Sequence, residues 1–254
     1  MTCDVAVVMQ TVCRDSLLRA VRSVYRQDFR GTIHLVLGID VDPTGQKERL
    51  LGLIRLEKPA NVVLTVIDLG YSTSSRHGGL HSCAFGGSLR SILTLAASAP
   101  AIAFLDDDDW YLPAHLRLII EAVAGRPWAF SLCFYADSDT SQALHVDELE
   151  SVGPDQGIFA LRFGGFVRPS ALIVETLGFA PYAPLWSQAL TAQGDGEDRR
   201  VFDVLRQLPG YGQTGVATVC YSLDPKDGNH QARVEYLGRK GIDISTLSKR
   251  ESVR

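Results

Sequence analysis

The sequence lacks long apolar runs, and it carries no basic segment at its N-terminus. No apolar run approaches about 18 residues, the length that a membrane-spanning helix requires, so we do not expect such a helix. The first residues, M-T-C-D-V-A-V-V-M-Q, enter a strand pattern at once, without the basic region that begins a secretory signal peptide. A signal peptide is therefore not expected.

Paired cysteines are also missing. The five cysteines are odd in number and scattered, and no two form a C-x-x-C motif. A disulfide framework or a cysteine-based zinc site is therefore not expected, and a reducing cytoplasm is the expected location. These residues are Cys3, Cys13, Cys83, Cys133 and Cys220.

Basic charge is not in excess: the net charge is −4 and the isoelectric point is about 5.9. No overall positive field would attract nucleic acid, so a nucleic-acid partner is not expected. With 254 residues, of which 46% are hydrophobic, the chain has enough apolar material for one large α/β domain or two small ones. We find no internal repeat and no clear linker, which favours a single domain.

The first half alternates short apolar runs with helical patterns. The runs at residues 4–9, 32–39, 61–67 and 101–105 predict strands, and the segments between them repeat apolar residues at helical spacing. Asp15 is a candidate N-cap of the first helix, and Pro113 suits the first position of the fourth. Alternating strands and helices predict an α/β fold with an open, mostly parallel sheet flanked by helices.

The second half is less regular. Strands are predicted at residues 128–135, 170–174 and 216–223, and a helix is predicted to begin near Glu197. Residues 136–156 are polar and acidic and indicate a mobile loop or a hairpin. The tail at 231–254 has six basic and three acidic residues and weak periodicity. Disorder, contact with a membrane surface and docking to a partner all stay open for this tail.

One stretch, A-I-A-F-L-D-D-D-D-W-Y-L-P at residues 101–113, organises the functional argument. Four adjacent carboxylates, Asp106 to Asp109, follow a buried strand and repel one another. A hard cation such as Mg²⁺ or Mn²⁺, or a row of hydrogen-bond donors, would make this cluster tolerable. The alternative is a solvated acidic turn that caps the following helix.

The strand order of such a sheet predicts which residues meet. Ligands of open α/β sheets bind beyond the carboxyl ends of the strands. Thr11 and Arg14 follow the first strand, Asp40 ends the second, and Asp106 follows the fourth. These residues are therefore expected to line one crevice, and a site for a metal and a diphosphate explains the aspartates better than a solvated turn.

Four motifs of the chain read V-A-V-V-M-Q-T-V-C-R, then I-D, then F-L-D-D-D-D-W-Y-L-P-A-H-L, then G-E-D-R-R-V-F-D-V-L. These motifs resemble the family 2 glycosyltransferases of GT-A fold, which is Rossmann-like. The family reads V-V-I-P-T-Y-N-R, D-D-G-S, F-L-D-x-D-D and E-D-x-x-L at corresponding places. The resemblance covers residues 4–125 and extends more weakly to residue 223. The chain departs from the family at Gln10, at Cys13 and at Gly38-Ile39-Asp40, which stand for Pro, Asn and Asp-Asp-Gly.

The resemblance implies a set of donor-binding residues. Thr11 would contact the nucleobase through its backbone, with Arg14 nearby, and Asp40 would accept a hydrogen bond from the base, commonly uracil. Arg90 would contact the donor's diphosphate, which a planar guanidinium suits. From the residues alone, Asp40 is equally a turn or N-cap aspartate, and Arg90 is equally an exposed helix arginine.

The resemblance also implies a metal site. Asp106 would approach the ribose, Asp108 would bind a Mn²⁺ or Mg²⁺ ion that bridges both phosphates, and Asp106 would share that ion. His230 would close the metal shell, although a lone loop histidine is more often solvated. Asp107 and Asp109 are either supporting ligands or solvated side chains.

Glu197 and Asp198 are the candidate catalytic residues. In an inverting displacement, a carboxylate must reach the acceptor hydroxyl on the face opposite the leaving nucleotide. Asp198 occupies the position that the family uses for this general base. The alternative is that both acids only stabilise the first turn of a helix.

Together with these residues, the resemblance implies a metal-dependent glycosyltransferase that moves a sugar from a nucleoside-diphosphate sugar, with UDP favoured, to an acceptor hydroxyl with inversion. Residues 1–125 would bind the donor and residues 126–230 the saccharide or other acceptor. A sugar-nucleotidyltransferase is one alternative, but it requires a glycine-rich loop after the first strand, and Q-T-V-C-R has no glycine. A degenerate nucleotide-sugar-binding module without catalysis is the other.

Overall fold

A computed structural model describes residues 2–245 of the chain. The strands are β1 (Val5–Thr11), β2 (Ile33–Ile39), β3 (Val62–Asp68), β4 (Ala101–Phe104), β5 (Trp110–Tyr111), β6 (Trp128–Asp137), β7 (Gln142–Val146), β8 (Gly153–Pro154), β9 (Gly165–Phe166), β10 (Leu172–Glu175) and β11 (Gly212–Ser222). The α-helices are α1 (Leu17–Tyr25), α2 (Lys47–Glu57), α3 (Gly87–Ala96), α4 (His115–Val123), α5 (Ala160–Phe163), α6 (Thr176–Phe179), α7 (Glu197–Leu205) and α8 (His230–Arg239). Short 3₁₀ helices cover Ser75–His77, Pro169–Ala171 and Ala180–Ser187.

One nine-stranded sheet runs through both halves of the chain. Its order is β3-β2-β1-β4-β10-β6-β11-β5, with β7 paired to β6. Strands β1 to β4 are parallel, β10 is antiparallel to both β4 and β6, and β11 is parallel to β6. Strands β6 and β11 therefore point the same way as β1 to β4. The predicted single-domain α/β fold, with an open, mostly parallel sheet flanked by helices, is confirmed.

The central strands form because nearly all their residues are apolar and become buried. All seven residues of β2 are buried, and in β1 only Gln10 is partly exposed. Each fully buried Val or Leu side chain stabilises the fold by about 1.5–3 kcal/mol relative to its exposed state. Strand β3 lies at the edge of the sheet, and most of its residues are only partly buried.

Two glycines allow α3 to approach its neighbours closely. A Cβ at Gly38 in β2 would lie 2.7 Å from Cδ1 of Leu93, and a Cβ at Gly87 would lie 1.9 Å from the carbonyl oxygen of Trp186. Any larger residue would push the helix away from the sheet or from the 180–187 segment. These contacts set the position of α3, which carries Arg90.

Two predicted helix starts are wrong. Helix α1 begins at Leu17 with Ser16 as N-cap, and the carboxylate of Asp15 instead accepts a hydrogen bond from Arg49. Helix α4 begins at His115, beyond Pro113. The side-chain oxygen of Gln27 accepts from the Leu116 amide at 2.8 Å, so a residue distant in sequence satisfies this helix start.

Residues 136–156 contain a hairpin. Strands β6 and β7 pair in antiparallel fashion, from Phe134 with Val146 to Asp137 with Gln142. After β7, buried Asp147 accepts hydrogen bonds from the backbone amides of three residues. The hairpin alternative is thus confirmed and the mobile-loop alternative is wrong. The three donors are Leu149, Glu150 and Ser151.

The tail begins with a packed helix, so the disordered alternative is wrong for residues 231–239. Tyr236 and Leu237 of α8 lie in one buried cluster with Tyr135 of β6. Arg233 is 1% exposed and pairs with Glu150 at 2.8 Å. Residues 240–245 are also described, and Ile244 lies in the same buried cluster. The last residues of the predicted tail, 246–254, lie outside the described residues. Within residues 2–245, no helix is long and apolar enough to cross a membrane.

Candidate active site

The four aspartates form the connection between β4 and β5, and they alternate in exposure. Asp107 and Asp109 are 5% and 1% exposed. The side chains of Asp106 and Asp108 are 33% and 42% exposed. The turn thus has two buried carboxylates and two partly exposed ones, which differs from a uniformly solvated acidic turn.

The buried pair fixes the turn in place. Asp109 accepts the hydroxyl of Ser170 at 2.6 Å and the amide of Ser222 at 2.9 Å. Asp107 accepts the hydroxyl of Thr11 at 2.6 Å. Burial is the main cause that raises the pKa of both carboxyls. The turn is therefore joined to β1, to β11 and to the 169–171 segment.

Each exposed carboxylate pairs with an arginine. Arg90 is buried in α3, donates to Asp106, and stacks 4.8 Å from the ring centroid of Trp186. It is therefore not an exposed helix arginine. Arg14 donates to Asp108 at 2.7 Å. Desolvation, followed by the Asp107 charge, raises the pKa of Asp108 to about 7.

Sequence reasoning missed two residues that hold this turn. Besides contacting Asp109, the hydroxyl of Ser170 accepts the Asp106 amide at 3.1 Å. Arg19 of α1 donates to the carbonyl of Asp108 at 2.9 Å and lies 4.0 Å from the ring centroid of Trp110. No motif marks either residue, because both contacts join segments that are far apart in sequence.

A cleft of about 480 Å³ opens at the carboxyl ends of β2 and β3. Asp40 lies at its floor and accepts the Ser72 hydroxyl at 2.7 Å and the Thr73 amide at 3.3 Å, both at Oδ1. Asp40 does not cap α2, because Asp42 accepts the amides at the start of that helix. The cleft is also lined by Lys47, Asp68, Tyr71 and His77.

Cys13 has a left-handed backbone conformation. Its φ is 59°, it is 1% exposed, and its amide donates to the Thr11 hydroxyl at 2.9 Å. Asparagine adopts this conformation more readily than most residues. Here cysteine takes the same conformation and remains buried.

Helix α7 presents Glu197 and Asp198 in its first turn. The N-cap of the helix is Gly196, with φ of 82°, and the carboxylate of Asp198 accepts the Arg199 amide of the first turn at 2.8 Å. Burial, followed by the Asp198 charge, raises the pKa of Glu197 to about 7, and burial also raises the pKa of Asp198. Arg90 acts on both carboxyls in the opposite direction. The fold thus brings the start of α7 to the Arg90–Asp106 pair.

His230 begins α8, after the carboxyl end of β11. Its Nδ1 atom is buried and has no hydrogen-bond partner among the described residues. Within residues 2–245, no three His, Cys, Asp or Glu side chains lie close enough together to hold a metal ion. The structure therefore does not join His230 to Asp106 and Asp108, and its role as a ligand stays a prediction.

Comparison by sequence gives no match: no family model and no curated protein matches the chain. Comparison by structure gives matches that include the following glycosyl-nucleotide complexes. TarS of S. aureus in complex with UDP-GlcNAc has a TM-score of 0.63 at 13% identity, over 90% of this chain and 60% of that one. The mannosyltransferase PcManGT of Pyrobaculum calidifontis, in complex with GDP-Man and Mn²⁺, has a TM-score of 0.58 at 11% identity, over 93% and 61%.

Another TarS structure is matched over 99% of this chain but only 46% of that one, with a TM-score of 0.59. The chain thus spans about half to three fifths of the length of these neighbours. At such low identity, the likeness concerns the fold. The chain has the α/β fold of these glycosyltransferase structures.

Proposed function

We propose that the chain is a metal-dependent glycosyltransferase that moves a hexosyl group from a nucleoside-diphosphate sugar to an acceptor hydroxyl. One observation supports the proposal. A cleft, two partly exposed carboxylates with their arginines, and the acidic start of α7 lie together at the carboxyl edge of one sheet. The structural neighbours support it, since they bind UDP-GlcNAc or GDP-Man.

The cleft would hold the nucleobase. Ser72 and Thr73 both donate to Oδ1 of Asp40, which fixes the carboxylate and leaves Oδ2 to accept an imide N–H from the base. This geometry favours UDP, because uracil presents one such N–H. Thr11 would sit beside the base through its backbone, where its carbonyl already accepts the Asp40 amide at 2.9 Å.

The diphosphate would lie over Asp106 and Asp108. Arg90 and Arg14 supply guanidinium groups that suit phosphate oxygens. Asp107 would support the site by holding the Thr11 side of the turn.

Asp106 and Asp108 would hold Mn²⁺ or Mg²⁺, because both offer partly exposed carboxylate oxygens. The buried Nδ1 of His230 has no hydrogen-bond partner among residues 2–245, but the structure does not bring it to these two carboxylates. Proteins often hold Mg²⁺ with one or two carboxylates while phosphates and water complete the shell. When bound, the ion would offset charge on the departing diphosphate.

Asp198 would act as general base, with Glu197 beside it. A raised pKa makes Asp198 a better proton acceptor near neutral pH, and Arg90 nearby favours its ionised form. A base on the face opposite the diphosphate gives inversion. Residues 1–125 would then bind the donor, and residues 126–230, which include α7, would bind the acceptor.

Calorimetric titration of UDP and GDP, with and without Mn²⁺, tests the proposal, followed by assays of nucleotide-sugar hydrolysis and transfer. We expect UDP to bind more tightly with Mn²⁺ present, and the donor to be consumed. If neither nucleotide binds under either condition, the proposal is overturned. Binding without any turnover would instead favour the non-catalytic binding module.

A further inference from the structure

Arg14 is held only at its charged end. Its Nη1 lies 2.7 Å from Oδ2 of Asp108 and its Nε lies 3.5 Å from Oδ1 of Asp107, yet half of the side chain is exposed. It belongs to the connection between β1 and α1 rather than to a strand or helix. The side chain of Asp108 is 42% exposed, and ion pairs between such exposed groups contribute little to stability, so the Arg14–Asp108 contact is easily broken.

Arg90 provides the contrast. Its side chain is only 6% exposed, it is part of α3, and it packs on the ring of Trp186 while it pairs with Asp106. The guanidinium of Arg90 is therefore held in place beside the aspartate turn, whereas the guanidinium of Arg14 can move away from it.

If Arg14 moved away, the two carboxylates that it contacts would keep different numbers of hydrogen bonds. Asp107 keeps the Thr11 hydroxyl at 2.6 Å and the Val12 amide at 3.4 Å. Within residues 2–245, Arg14 is the one side chain that donates to the carboxylate of Asp108. Departure of Arg14 would thus free Asp108 and leave Asp107 hydrogen-bonded.

We propose that Arg14 is a displaceable counter-ion that competes with the divalent cation for Asp108. Without the cation, its guanidinium neutralises the Asp107–Asp108 pair. With a cation at Asp108, the Arg14 guanidinium would be repelled and displaced, since two positive groups cannot share one carboxylate closely without cost. Arg14 would then be free to bind a diphosphate through two hydrogen bonds. The metal in this inference rests on the proposed function.

The test measures Mn²⁺ binding to the nucleotide-free protein, through the electron paramagnetic resonance signal of free Mn²⁺. Arg14→Gln is expected to bind Mn²⁺ about three- to tenfold more tightly than the wild type, because the competing charge is gone. Arg14→Lys keeps the charge and is expected to stay near the wild-type affinity. Circular dichroism checks that each variant is folded.

Arg49→Gln is the matched control. Arg49 is 53% exposed, pairs with Asp15 at 3.0 Å, and removing it changes the net charge by the same amount. It is expected to leave Mn²⁺ affinity unchanged. An equal gain in this control would reduce the result to a general charge effect and overturn the inference.

Unchanged or weaker Mn²⁺ binding in Arg14→Gln also overturns it, as does a lack of Mn²⁺ binding by both wild type and variant. These outcomes are separate from the proposed function, which fails when the wild type binds neither UDP nor GDP. A tighter Mn²⁺ complex in Arg14→Gln supports the role of Arg14 whichever nucleotide result is obtained.

Discussion

The hydroxyl of Ser170 lies 2.6 Å from Oδ2 of Asp109 and donates to it, although the two residues are 61 positions apart. Both residues are buried, and the same hydroxyl accepts the amide of Asp106 at 3.1 Å. One serine therefore anchors both ends of the aspartate turn. The exposed carboxylates of the turn depend on this anchor for their position.

Replacing Ser170 with alanine is expected to lower the free energy of unfolding by about 1–3 kcal/mol, because the buried carboxyl of Asp109 loses one of its two donors and the Asp106 amide loses its acceptor. Denaturant unfolding measures the change. Ser131→Ala is the matched control: Ser131 is also fully buried, but its hydroxyl has no hydrogen-bond partner among the described residues. It should be close to neutral, and an equal loss in both variants would contradict the role of Ser170.

Glu197 makes stability depend on pH. Burial raises the pKa of its carboxyl from 4.5 to about 7 in the folded protein. The folded state then binds more protons than the unfolded state between these values, so stability falls as the pH rises from about 4.5 to about 7. The loss should be on the order of 3 kcal/mol.

Glu197→Gln should remove this part of the pH dependence, measured by unfolding at several pH values. Glu48→Gln, which changes an exposed glutamate, should leave the wild-type slope intact. A wild-type slope retained in Glu197→Gln would show that another group causes it.

Asp198→Asn tests the general base. Transfer should fall about 10²- to 10⁴-fold, the usual contribution of a positioned base, while UDP binding stays the same. Steady-state transfer and calorimetry measure the two effects. Asp203→Asn is the control, because Asp203 lies on the same helix but is exposed and pairs with Arg206. Transfer that survives in Asp198→Asn would refute the assignment of the base.

Asp40→Asn tests the nucleobase cleft. The amide group that faces the base would place a donor where the carboxylate accepts, so UDP should bind about 10- to 100-fold more weakly. Calorimetry with Mn²⁺ present gives the affinity. Asp28→Asn, which alters an exposed aspartate paired with Arg117, should bind UDP as the wild type does. Equal affinity in both variants would place the base elsewhere.

The local pattern of the sequence was enough to predict the sheet and its functional edge. Short apolar runs and helical periodicity depend on neighbouring residues, so β1 to β4 and the start of α7 could be read directly. The direction of parallel strands then placed Thr11, Asp40 and Asp106 at one edge. The same local pattern predicted the wrong N-cap for α1. Ser16 is the N-cap, and Asp15 pairs with Arg49 instead.

Tertiary contacts alone decided how the four aspartates divide. Adjacent carboxylates look alike in sequence, and their burial depends on partners that lie far away: Thr11 is 96 residues from Asp107, and Ser222 is 113 residues from Asp109. The sequence pattern also did not predict helix α8, because its periodicity is weak. Packing of Leu237 in the buried cluster stabilises this helix. Sequence thus determined that carboxylates gather at the strand ends. The folded chain determined which of them face the crevice, because only distant donors can bury a charged group.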